Sequence, residues 1–102
     1  MIRSTDDIEV MCRYEVIVDG KVAGFAQISN TPGEGQPTDT RYVTIVKVKR
    51  QYRRRGLATR LYQAIEEHLK LWGLRLVRSE FPSEDALAFW NYYERRRSPP
   101  QN

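Results

Sequence analysis

Apolar and polar positions alternate along the first part of the chain. Ile8, Val10, Cys12, Tyr14, Val16 and Val18 fall on one side, and Glu9, Arg13, Glu15 and Asp19 on the other. A period of two marks a half-buried strand. Asp19-Gly20 reads as a two-residue hairpin turn, because both residue types tolerate positive φ. Lys21 to Ser29 returns as a second strand, with Val22, Ala26 and Ile28 on one face and Phe25 on the other. Gly24 marks a bulge or a close backbone approach within it. Asn30 to Thr40, with two prolines and two glycines, has no packing face and is a loop, long for a hairpin connection.

The pattern then changes. Arg41 to about Lys49 is a third strand, rich in β-branched residues from Tyr42 to Val48. From about Leu57 to Trp72 the spacing becomes helical, placing Leu57, Leu61, Ala64, Ile65, His68, Leu69 and Trp72 along one face. Gly73 is its stop signal, and His68, within the apolar face, reads as a structural histidine. Leu74 to Glu80 is a fourth strand, parallel to the third through a right-handed crossover. Phe81-Pro82 breaks the chain and Ser83 suits an N-cap. A second helix follows, with Ala86, Phe89, Trp90 and Tyr93 on one face, and Ser98-Pro99-Pro100 ends it. The order β-β-β-α-β-α predicts an α+β fold, a mixed β-sheet flanked by helices.

Composition narrows the class. The 102 residues make one domain, with 1–7 and 98–102 expected to be disordered. A single cysteine, Cys12, excludes a disulfide framework within the chain and points to a reducing compartment. Cys and His do not cluster at metal-ligand spacing, and no apolar run has membrane-spanning length. The expected location is cytoplasmic. The net charge of +4 is concentrated: Lys47, Lys49, Arg50, Arg53, Arg54, Arg55 and Arg60 lie close together, which implies an anionic partner. Arg95-Arg96-Arg97 is a second group, and arginines there suit the last turn of a helix.

The candidate chemistry lies where the third strand feeds the central helix. The first N–H groups of a helix have no partner within it, and the helix dipole makes that end positive. A basic, glycine-containing turn at that point is a site for phosphate. Taken singly, Gly56 is a turn glycine and Arg53-Arg54-Arg55 a solvated loop. Together they mark a site for phosphate.

This stretch resembles motif A of the GCN5-related N-acetyltransferases, which reads (Gln/Arg)-x-x-Gly-x-(Gly/Ala) at the phosphate turn. Here it is Arg53-x-x-Gly56-x-Ala58, with Val48, Tyr52 and Arg55 fitting the usual run. The second half resembles motif B, an Asn followed three residues later by Ala and then by an aromatic pair; Ser83, Ala86 and Phe89-Trp90 hold those positions. The resemblance covers about Arg41 to Tyr93 and implies an acyl-CoA N-acyltransferase-like fold, acetyl-CoA as cofactor, and transfer of acetyl to an amine of a protein or small molecule. It also implies roles by position. The N–H of Val46 would polarise the thioester carbonyl, and Val48 would pair with the pantetheine amides. Backbone N–H groups from Arg54 through Gly56, Leu57, Ala58 and Thr59 would hold the pyrophosphate, with the Thr59 hydroxyl helping. The guanidinium groups of Arg53, Arg54 and Arg55 would reach the 3′-phosphate, and Ser83 and Trp90 would complete the cofactor site.

The sequence departs from the family at the proton-transfer groups. A carboxylate base often stands at the position of Tyr42, yet Tyr42 to Val48 contains no Asp or Glu. Glu80, acting through water, is the candidate base, weighed against an ordinary strand-end residue. The family's usual acid is a Tyr at the position of Trp90, whose indole cannot serve; Tyr93, on the same helix face, is the candidate acid, weighed against a core aromatic. The helices that follow the family's first strand, and its closing strands, have no counterpart here, and those parts build the acceptor site. The alternative is therefore a non-catalytic module of this fold that binds or regulates another protein, with a homodimer supplying missing elements. Nucleic acid ranks last as a partner: Tyr52 and Tyr62 interleave with the basic run, but no recognition-helix or RNP pattern appears.

Overall fold

The alternating segments become sheet. In the computed structural model, which describes residues 2–4, 13–79 and 84–97, strands β2 (Arg13–Val18) and β3 (Lys21–Ile28) form the expected hairpin. Asp19 and Gly20 both adopt positive φ, 52° and 77°, which matches the right-handed twist of the paired strands. One expectation is corrected at the start of the chain. Within the lead expected to be disordered, Ile2–Ser4 forms strand β1, antiparallel to β2, because Ile2 packs against the core. Ile8 to Cys12 lie outside the described residues.

The third strand is also broken. Thr40–Arg41 (β4) and Val43–Val48 (β5) are separate, with Tyr42 between them. The Ser29 N–H donates to the Tyr42 carbonyl at 2.8 Å, and the Tyr42 N–H donates to Ser29 Oγ at 3.1 Å, so a buried serine holds the break. β5 pairs antiparallel with β3, giving the order β1-β2-β3-β5. β4 pairs parallel with β6 (Arg75–Leu76), as the strand–helix–strand unit predicts. β6 is two residues long rather than the expected seven, Leu74 to Glu80. One further bond, from Val77 N–H to the Arg41 carbonyl at 2.9 Å, extends the contact before the segments part.

Two register shifts shape the sheet. Val16 pairs with Gly24 and Ile17 with Val22, which leaves Ala23 as an extra residue on β3. Gln27 pairs with Ile45 and Ile28 with Val43, which leaves Thr44 as an extra residue on β5. Gly24 is a point of close approach: a Cβ there would lie 2.7 Å from the Lys47 carbonyl oxygen and 3.1 Å from Val48 Cα.

Helix α1 (Leu57–Leu71) covers one face of the sheet with Leu57, Leu61, Tyr62, Ile65 and Leu69. They meet Tyr14, Val16, Ala26 and Ile28. Each such aliphatic side chain contributes roughly 1.5–3 kcal/mol through burial. His68 bonds through Nδ1 to the Tyr14 hydroxyl, tying helix to sheet, as its place in the apolar face suggests. Trp72 departs from the expected face and is half exposed, because the helix ends at Leu71. Helix α2 (Glu84–Arg97) lays Phe89, Trp90 and Tyr93 around Tyr62, with ring centroids 4.9, 6.2 and 5.2 Å from it.

Candidate functional site

The site begins with the edge that β5 leaves open. Lys49 N–H donates to the Ala23 carbonyl at 2.8 Å, and Gly24 is the partner of Val48. In an antiparallel ladder that bond makes Gly24–Val48 a non-hydrogen-bonded pair, and by alternation Ala26–Val46 another. The backbone N–H and C=O groups of Val46 and Val48 therefore face away from β3, toward the side where β6 has diverged.

That divergence creates a gap of about 270 Å³ between β5 and residues 77–79, floored by Tyr62 of α1 and Trp90 of α2. A second cleft, about 330 Å³, continues past Val48 over the start of α1 and is bounded on its other side by Phe89 and Tyr92. Val46 lies in the first cavity and Val48 in the second, so the two succeed one another along β5.

The turn joining β5 to α1 runs through a 3₁₀ turn at Arg50–Tyr52 and then two left-handed residues, Arg54 (φ 65°) and Gly56 (φ 72°). Glycine adopts this conformation without a Cβ penalty; arginine does not, so strain is stored at Arg54. A chain that alternates in this way turns successive N–H groups toward one concavity, which suits an anion. Among the described residues, no hydrogen bond uses the backbone N–H groups of Arg54 through Thr59, and no side chain caps the helix. A Cβ built on Gly56 would meet nothing within 4 Å, so the concavity is open. No acidic residue stands in the first turn. Free N–H groups, open space and exposed guanidinium groups together fit a diphosphate.

The expected residues are distributed as follows. Arg53, Arg54, Gly56, Leu57, Ala58 and Thr59 line the cleft over the turn. The Arg53 Nε donates to the Val48 carbonyl at 3.1 Å, so this arginine braces the strand end. Arg55 stands away from the cleft, its guanidinium 5.5 Å over the Tyr52 ring. Glu80 and Ser83 lie outside the described residues. Tyr93 does not join the gap: it is 2% exposed, and its hydroxyl donates to Glu66. Its ring belongs to the core, as the competing reading had it.

Sequence reasoning noted Tyr62 only as an aromatic beside the basic run and did not place it at the site. This residue is 4% exposed and lines the gap, and its hydroxyl makes no hydrogen bond among the described residues. Burial pushes its phenol from 10.0 up to about 12. The available signal was its helical position, three residues before Ile65 on the buried side. Among the described residues that line the gap there is no carboxylate and no imidazole.

Comparison with known proteins agrees with this geometry. No match was found among functionally curated proteins. Among solved structures, aminoglycoside N-acetyltransferase AAC(6′)-Iy in complex with CoA superposes with a TM-score of 0.73 at 15% identity, covering 91% of this chain and 89% of that one. An aminoglycoside acetyltransferase from an uncultured soil metagenomic sample, in complex with trehalose, gives 0.64 at 16% identity over 90% of this chain and 61% of its own. The ribosomal-protein-alanine N-acetyltransferase from Brucella melitensis biovar Abortus 2308 gives 0.63 at 20% identity over 80% of this chain and 60% of its own. The chain thus spans about three fifths of the latter two. At these identities the likeness establishes the fold. Residues 3–97 match the acetyltransferase (GNAT) family as a sequence, and with the strand–turn–helix geometry described above, the chain belongs to the GCN5-related N-acetyltransferases.

Proposed function

We propose that this chain binds acetyl-CoA, the cosubstrate of its family, and transfers the acetyl group to an amine of a protein or small molecule. The observation that carries the reading is two sets of unspent backbone donors. One is Val46 and Val48 on the open edge of β5, and the other is Arg54 to Thr59 at the head of α1.

The chain's own groups divide the work. The N–H groups at the head of α1 hold the diphosphate, and the helix dipole adds to their attraction. Val48 orients the pantetheine arm. The Val46 N–H stabilises negative charge on the thioester oxygen, a preorganised donor that does not have to reorganise. Trp90 and Tyr62 close the gap from below and exclude water. Proximity supplies most of the rate, and the candidate base Glu80 lies outside the described residues. Calorimetry with acetyl-CoA tests binding, and release of free thiol in the presence of an amine panel tests turnover. Absence of binding at high micromolar acetyl-CoA removes the proposal.

The second reading, a non-catalytic module of the same fold, draws support from the lack of a carboxylate or imidazole among the described gap-lining residues. It keeps CoA binding and forbids turnover, so detectable transfer to any amine in the panel excludes it.

A further inference from the structure

The cofactor reading uses only part of the basic cluster. Arg53, Arg54 and Arg55 belong to the turn, but Lys47, Lys49 and Arg50 have no part in it. Lys47 stands on the face of the sheet that α1 leaves uncovered. Tyr14, Ala26 and Val46 are partners across β2, β3 and β5 and point into the core. Their neighbours Glu15, Phe25 and Lys47, also partners, therefore point the other way. There a cavity of about 680 Å³ takes in Arg13, Glu15, Phe25, Lys47, Lys49 and Arg50. Val46 lines this cavity as well as the gap, so β5 is the common wall of the two.

The charge of this face is one-sided. Glu15, the one carboxylate among its described lining residues, is paired with Arg13 at 3.1 Å. The side chains of Lys47, Lys49 and Arg50 are exposed and have no ion pair among the described residues. The gap adds Arg78, with no described carboxylate beside it. The cavity against β6 and α2 differs, because Glu66 and Glu94 stand there with Arg75 and Arg78.

We infer that this basic face receives the acceptor, and that the acceptor is an acidic polypeptide segment carrying the amine. The inference rests on the acetyl-CoA reading above and gives it a substrate class. Uncompensated cations beside the gap repel a polycationic amine and attract one flanked by carboxylates. Lys47 and Lys49 are two residues apart in extended backbone, about 6.6 Å along the chain. Acidic residues two apart in an extended segment repeat at the same interval. Nucleic acid carries the right charge but fits less well. It offers no aliphatic amine, and Phe25, the one aromatic among the described lining residues, is already capped by Arg13 at 3.9 Å, which leaves no free ring for a base.

The test uses the full chain and three peptides of equal length. Each has one lysine and a free amino terminus, with flanking residues that are all glutamate, all glutamine or all arginine. Anisotropy of carboxyl-terminally labelled peptide reads binding in the presence of CoA, and thiol release from acetyl-CoA reads transfer. At low salt the glutamate peptide should bind and react about tenfold better than the glutamine one, since three exposed charge pairs contribute about twofold each. The arginine peptide should be the poorest, and the preference should fade toward about 1 M salt. Lys47→Gln/Lys49→Gln/Arg50→Gln should lose most of the preference while its CoA affinity changes less than about twofold, which also shows that it is folded. Lys70→Gln/Arg95→Gln/Arg96→Gln, with the same charge removed from exposed positions elsewhere, should keep the preference. A glutamate peptide that does no better than the glutamine one overturns the inference. So does a preference that survives the first variant or falls equally in the second. An oligouridylate that displaces the glutamate peptide at physiological salt overturns it in favour of nucleic acid. CoA binding without thiol release from any peptide overturns it as well. Wild-type protein that binds no CoA removes the acetyl-CoA reading itself, whereas CoA binding with charge-blind transfer removes only the acidic acceptor.

Discussion

The two ends of α1 carry matching glycines and opposite treatments. At the C-terminal end, Gly73 takes φ 71°, the Gly73 N–H donates to Lys70 and the Leu74 N–H donates to Leu69, both carbonyls of the last turn. That closes the helix with the chain's own groups. At the N-terminal end, Gly56 takes φ 72°, but no side chain caps the helix, and the N–H groups through Thr59 have no partner among the described residues. The same residue type in the same conformation completes the structure at one end and keeps it open at the other. β5 repeats the contrast sideways: its β3 edge is laddered, while the N–H groups of Val46 and Val48 face away from β3. Where this small fold could have satisfied its backbone and did not, a ligand is expected.

Substitutions on β5 give the largest effect. Val46→Pro removes an N–H that bonds no strand, so the protein should fold and lose acetyl transfer by about 10²–10³-fold. Lys47→Pro removes a ladder donor from the neighbouring hydrogen-bonded pair and should unfold the sheet. Circular dichroism beside a thiol-release assay separates the two outcomes. Equal loss of structure in both would erase the distinction between the edges.

Alkaline pH tests how well the aromatic floor of the gap is sealed. The Tyr62 phenol is raised to about 12 by desolvation. The unfolded chain gives up that proton near pH 10, before the folded one does. Stability is therefore intact below about pH 10 and falls as pH rises toward 12, by about 2–3 kcal/mol at most. Urea unfolding at pH 8 and pH 11 should show the loss in wild type and a smaller one in Tyr62→Phe.

The glycine pair gives a smaller, more pointed contrast. Gly73→Ala and Gly56→Ala should each cost roughly 1–2 kcal/mol of stability, since both force a side chain into the left-handed region. Gly73→Ala should leave CoA affinity unchanged, whereas Gly56→Ala should weaken it. The smallest effect belongs to the arginines. Arg54→Gln should weaken CoA binding a few-fold at low salt and less at high salt, because this exposed guanidinium acts through a screened field. Arg55→Gln should do less, since that side chain lies over Tyr52.

Much of the site was legible in the sequence because it is built from backbone. A strand, a glycine and a helix start fix where N–H groups point, and spacing reveals all three. Val46 and Val48 therefore lie on the strand edge that faces away from β3, and Gly56 stands at the start of α1. Side-chain roles were harder to read. Trp90 and Tyr93 lie on one helical face by spacing, but the rotation of α2 sends one to the gap and the other to Glu66. That rotation depends on packing around Tyr62, which spacing along α2 does not encode. The split at Tyr42 was equally hidden, since Ser29, which holds it, is thirteen residues away. β1 escaped notice because three residues are too short for an alternation to show.

Amide-resolved nuclear magnetic resonance during a CoA titration tests the central claim most directly. The account predicts that the largest shifts fall on the N–H groups of Arg54 through Thr59, followed by Val46 and Val48, with Gly73 and Leu74 unmoved. Saturating CoA that leaves those turn amides in place, or shifts that gather at the far end of α1, would contradict it.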